Sequence, residues 1–126
     1  MEVSANAKLL EPVRQSRAEG RPIRWNRVNA LPHYVFFDHS AHLAKGVGCT
    51  TCHGPVDRMP LAWKVGSLRM GWCLDCHRDP APNLRPREEV FNPDLTRTPD
   101  TPSGDQLLTR CSIHPKTLSD CSVGHR

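Results

Sequence analysis

Apolar positions along the chain come in short runs broken by polar residues and prolines, so the pattern predicts several small elements and no long one. Residues 1–20 are polar and weakly helical. Ala5, Leu9, Leu10 and Val13 are loosely spaced, which suits a short helix ended by Pro12 or a segment lying on a partner. Residues 21–37 read as extended chain, because Pro22 and Pro32 forbid a helix there. Within them Tyr34-Val35-Phe36-Phe37 is a strand-like apolar run. A helix is predicted from Asp38 to Lys45. Asp38 caps its start, and Gly46 takes the left-handed position after its end. Residues 46–80 alternate turns with cysteine motifs, 80–105 form a proline-rich irregular linker, and 106–126 hold one helical turn before the last cysteine.

Composition sharpens this picture. Twelve prolines and eight glycines among 126 residues leave little room for regular structure, and aromatics make up only 6%. A small chain with so thin an apolar supply gets its core from disulfides, metals or bound groups. Six cysteines and seven histidines point the same way. The net charge of +4 comes from scattered arginines without a basic run or interleaved aromatics, which argues against nucleic-acid binding. No window approaches the roughly 18 apolar residues of a membrane span.

Two units carry the chemistry: Cys49-Thr50-Thr51-Cys52-His53 and Cys73-Leu74-Asp75-Cys76-His77. Cys-x-x-Cys-His is the attachment motif of c-type haem. Two thiols add across the vinyl groups along one porphyrin edge, and the histidine that follows at once becomes an axial iron ligand. The same spacing of four cysteines also fits a zinc ribbon, which would leave His53 and His77 unexplained, and six cysteines also allow a disulfide scaffold. His39 and His42, three apart on the predicted helix, share one side and can each reach a different iron. His39 is assigned to the iron on His53 and His42 to a neighbouring one, most simply that on His77.

The C-terminus repeats the motif in degenerate form. In Cys121-Ser122-Val123-Gly124-His125, Gly124 stands where the second cysteine belongs. One thioether from Cys121 with His125 as ligand would still hold a third haem, with His114, Met59, Met70 or His33 as its distal ligand. The other reading is a vestigial site whose Cys121 is free or paired with Cys111. Gly46 and Gly48 can let backbone pass a porphyrin face, Trp72 packs on haem or in an ordinary core, and Arg58, Arg69 and Arg78 can meet propionates, although each alone reads more simply as a solvated arginine.

The run PHYVFFDHSAHLAKGVGCTTCHG resembles multihaem cytochromes of the c3/c7 type. A closer resemblance is to the pentahaem cytochrome subunit of alternative complex III, a bacterial quinol-oxidising respiratory complex. It is carried by NRVNALPHYVFFDHSAHLAKGVGC, TTCHGPVDRMPLAWKVGSLRMGWCLDCHRDP, RPREEVFN and LSDCSVGHR. The resemblance implies a small, mostly irregular fold with short α-helices organised around covalent haems. It implies distal ligands at His39 and His42 and proximal ligands at His53, His77 and His125. It also implies a periplasmic electron carrier that relays electrons from an iron–sulfur partner to a cytochrome c or oxidase, held at the membrane through its partners. The chain lacks the two further motifs of that family's N-terminal half, and Gly124 replaces an expected cysteine.

Expected domains are an N-terminal extension (1–20) and a multihaem cytochrome c domain (21–126). Nothing resembles paired carboxylates or a nucleophile with its base, so the chain is read as an electron carrier and not an enzyme. Met1-Glu2-Val3-Ser4 shows no basic stretch leading into an apolar one, although haem attachment belongs outside the cytoplasm. The expectation is a chain that is trimmed or starts further upstream.

Overall fold

The computed structural model describes residues 7–125; residues 1–6 and Arg126, and with them part of the expected N-terminal extension, lie outside the described residues. A first helix, α1, spans Glu11–Glu19 after a 3-10 turn at Lys8–Leu10. Pro12 begins this helix where a helix end was expected. The missing N–H falls in the first turn, whose donors have no intrahelical partner, so proline costs nothing there. Gly20 ends the helix in the left-handed conformation (φ 61°). No residue of α1 is buried, and Leu9 is 91% exposed.

The run 34–37 forms no strand. It makes one antiparallel bridge, Val35 to His125, with Phe36 N–H donating to the Gly124 carbonyl at 2.9 Å. Helix α2 (His39–Ala44) lies where it was predicted. The Asp38 carboxylate accepts from Ser40 N–H at 2.8 Å, and Gly46 follows at φ 83°. Helices α3 (Cys49–His53) and α4 (Met70–Arg78) each carry one Cys-x-x-Cys-His unit. The C-terminal part forms three helices: α5 (Gly104–Arg110), α6 (Pro115–Leu118) and α7 (Cys121–Gly124). A reciprocal capping box between Ser103 and Gln106 starts α5.

Segment 80–105 is irregular apart from two 3-10 turns, yet it supplies most of the small apolar core. Leu84, Val90 and Leu107 are buried to 1–3% exposure. Val47 bridges to Leu84, Arg85 N–H donates to the Gly46 carbonyl at 2.9 Å, and Cys49 N–H donates to the Val90 carbonyl at 3.3 Å. These bonds anchor the start of α3. They also revise the reading of the two glycines. A Cβ at Gly46 would lie 2.5 Å from the Arg85 carbonyl oxygen, and one at Gly48 would lie 2.2 Å from its guanidinium. Both positions make room for Arg85.

The polypeptide exposes 10076 Å². A compact protein of 14.2 kDa exposes about 6,800 Å². The excess is consistent with a core this small. Among the described residues no strand forms, and no helix is long and apolar enough to cross a membrane.

Candidate functional site

A cavity of about 620 Å³ opens between α2, α3 and α4, with residues 29–37 and α7 along its sides. That volume falls in the range of small-molecule and cofactor sites. His39, His42, Cys52, His53, Cys73, Cys76 and His77 all line it, together with Trp72. Gly66 admits the Trp72 ring, since a Cβ there would sit 2.9 Å from it.

Inside, the four histidines form two pairs. His39 and His53 have ring centres 6.2 Å apart and nearly parallel planes (11°). His42 and His77 also have centres 6.2 Å apart, with planes at 32°. Two imidazoles bonded through nitrogen to opposite sides of one metal, at roughly 2.0 Å per bond, have ring centres about 6.2 Å apart. One such spacing is also ordinary for two aromatic rings in contact. The recurrence is what discriminates. Each pair joins the histidine of one Cys-x-x-Cys-His unit to a different histidine of α2, in the pairing expected from the sequence. Phe37 braces both distal rings, its centre 4.7 Å from each.

Hydrogen bonds fix which ring nitrogen is free. The Nδ1 of His77 lies 3.0 Å from the Leu118 carbonyl, and that of His42 lies 2.9 Å from the Asp38 carbonyl. A carbonyl accepts only, so Nδ1 carries the proton and Nε2 keeps its lone pair free to bind a metal. His53 instead meets a side chain, with Asn29 Nδ2 3.2 Å from its Nδ1. At the start of α2, hydrogen bonds from Ser40, followed by the nearby imidazoles, hold the Asp38 carboxyl below its ordinary value.

Three of the motif thiols are pushed above their ordinary value. Burial pushes Cys52 up, reinforced by the neighbouring thiols of Cys76, Cys73 and Cys49. Burial also raises Cys73, and it is the largest cause at Cys76, where an Asn83 amide 3.6 Å from sulfur opposes it. Among the described residues no three His, Cys, Asp or Glu side chains converge as a metal cage would require. All six cysteines are free thiols, and Cys111 is not joined to Cys121.

The degenerate unit is placed differently. Val123 and Gly124 line the cavity, but Cys121 is exposed, and the ring neighbour of His125 is Tyr34 at 5.9 Å. His33, His114, Met59 and Met70 do not line the cavity, and His114 precedes α6 as an exposed residue. Arg58 pairs with Asp94 and Asp57, while Arg69 and Arg78 are exposed. Sequence reasoning did not foresee Asn29, Arg85 or the Leu118 carbonyl. A loop amide and a main-chain oxygen leave no signature in composition or spacing. No protein-family model and no curated protein matches the chain.

Proposed function

We propose that the chain is a multihaem c-type cytochrome that carries electrons, with one haem on Cys49, Cys52 and His53 and another on Cys73, Cys76 and His77. The observation that carries this reading is the pair of 6.2 Å histidine couples meeting on one helix. Covalently bound haem would supply reversible one-electron chemistry at each position. The residues present fit it. Each cysteine pair lies one helical turn apart on α3 or α4, so both sulfurs share a face. Each motif histidine faces an α2 histidine, and the two would hold the iron between them. Iron held by two imidazoles would leave no open position for a substrate, which suits a carrier and not an enzyme.

Helix α2 contributes a ligand to both sites from adjacent positions on one face. It couples them mechanically and holds them close, as a relay requires. Much of the cavity wall is apolar, formed by Leu31, Val35, Phe36, Phe37, Val47 and Leu68. The chain also exposes large apolar side chains away from the cavity: Trp25 (81%), Leu61 (80%) and Phe91 (74%). The resemblance carried by the sequence favours a subunit of a larger assembly over a stand-alone cytochrome. The likeness to the alternative complex III subunit gives that assembly its form. It is a membrane-associated quinol-oxidising complex, with an iron–sulfur donor, a cytochrome c or oxidase as acceptor, and an extracytoplasmic location.

The test is a pyridine haemochrome spectrum with intact mass, on protein matured in an export-competent host. Visible absorption that survives denaturation, with the mass of the polypeptide plus haem, is the expected result. A colourless protein that binds zinc stoichiometrically would replace this reading with a zinc-binding module.

A further inference from the structure

The two motif histidines are held by different kinds of partner. Leu118 offers His77 a main-chain carbonyl at 3.0 Å, at the end of α6, which packs on α4. Asn29 offers His53 a side-chain amide at 3.2 Å, from a half-buried bend that also lines the cavity. A histidine that binds metal through Nε2 carries its proton on Nδ1 and needs an acceptor there. The Leu118 carbonyl already meets that need. The Asn29 amide meets it by a half-turn about its terminal torsion, which brings Oδ1 to the place of Nδ2.

We propose that Asn29 is a positioning residue that holds His53 in its iron-binding tautomer and sets the reduction potential of that haem apart from its neighbour's. The proposal rests on the haem reading above. The physical basis is the acceptor strength at Nδ1. A stronger acceptor draws the Nδ1 proton away and makes the imidazole a more electron-rich ligand, which favours ferric iron and lowers the potential. A lost acceptor does the opposite. The main-chain partner of His77 is beyond the reach of side-chain substitution, so the two sites separate cleanly under mutation at residue 29.

The experiment is a potentiometric titration of the haem-loaded chain and of Asn29→Asp and Asn29→Leu, with haem content checked by intact mass. Asn29→Asp should lower one component of the titration, and Asn29→Leu should raise that same component, while the other stays in place. The opposite signs matter. A carboxylate also acts through its charge, whereas leucine carries none, and simple loosening of the loop would not reverse direction between the two. Unmoved potentials in both variants at full haem content overturn the proposal for Asn29 and leave the haem reading standing. Two components moving together also overturn it. Protein without covalent haem overturns both.

Discussion

Helix α3 and helix α7 begin alike and end in different surroundings. Each opens with a cysteine at its first helical position, and each has its histidine four residues on, at 53 and 125. Around α3, the second thiol is half-buried, the histidine faces another imidazole at 6.2 Å, and the 80–90 segment bonds to the helix start. Around α7, residue 124 has no thiol, the first cysteine is exposed, and the histidine faces a phenol. A short motif fixes only a local turn. Whether that turn becomes a redox site depends on what distant segments place opposite it.

The largest expected effect is on haem count. Replacing Cys49 and Cys52 by alanine together should halve the covalent haem per chain, and Cys73 with Cys76 should do the same. Cys121→Ala should leave the count unchanged. Intact mass reads all three. A haem lost from the Cys121 variant would show that a single thioether suffices and would erase the contrast between the two turns.

The converse experiment repairs the degenerate turn. A Cβ at Gly124 meets nothing within 4 Å, so cysteine fits there without moving a neighbour. Gly124→Cys should add one covalent haem per chain when the protein is matured with haem-attachment machinery. An unchanged mass would mean that a second thiol alone does not make this turn a haem site, and that an opposing histidine is needed as well.

What the sequence disclosed followed the range of the interactions. Asp38 as a cap and Gly46 as a left-handed stop are decided within a few residues, and both were legible. The pairing of the imidazole rings, His39 with His53 and His42 with His77, was legible too, because i, i+3 spacing on one helix leaves few arrangements. Leu84 and Val90 were not legible as core, since their partners are Val47, Cys49 and α5 and no periodic pattern announces an irregular segment. Pro12 misled because proline ends helices from inside and starts them from the first turn, and only the position of Glu11 decides which. The glycines at 46 and 48 were correctly singled out as points of close approach, but the approaching group is Arg85.

The distal ligands give the next effect in size. His39→Ala should keep both haems attached and convert one to a five-coordinate, high-spin state that binds carbon monoxide. His42→Ala should do this to the other. His125→Ala should leave the spectrum unchanged. If His39→Ala and His42→Ala altered the same haem, the assignment of one α2 histidine to each motif would fail.

The smallest effect compares two aspartate caps of the same design. Asp38 accepts from Ser40 N–H at 2.8 Å at the start of α2, and Asp120 accepts from Ser122 N–H at 2.9 Å at the start of α7. Removing such a cap leaves a first-turn N–H without its acceptor and loosens the start of the helix. The local cost is similar for both substitutions, but the readout should differ. Asp38→Ala loosens the one helix that holds both distal imidazoles, so on warming it should release a high-spin component from both haems below the temperature at which the parent does. Asp120→Ala frays a turn that presents no ligand to either pair, and its low-spin spectrum should persist to the parent temperature. Variable-temperature absorption near the Soret band distinguishes them. Equal high-spin onset in the two variants would mean that both ends of the cavity carry ligands, and that the C-terminal turn belongs with α3 and α4.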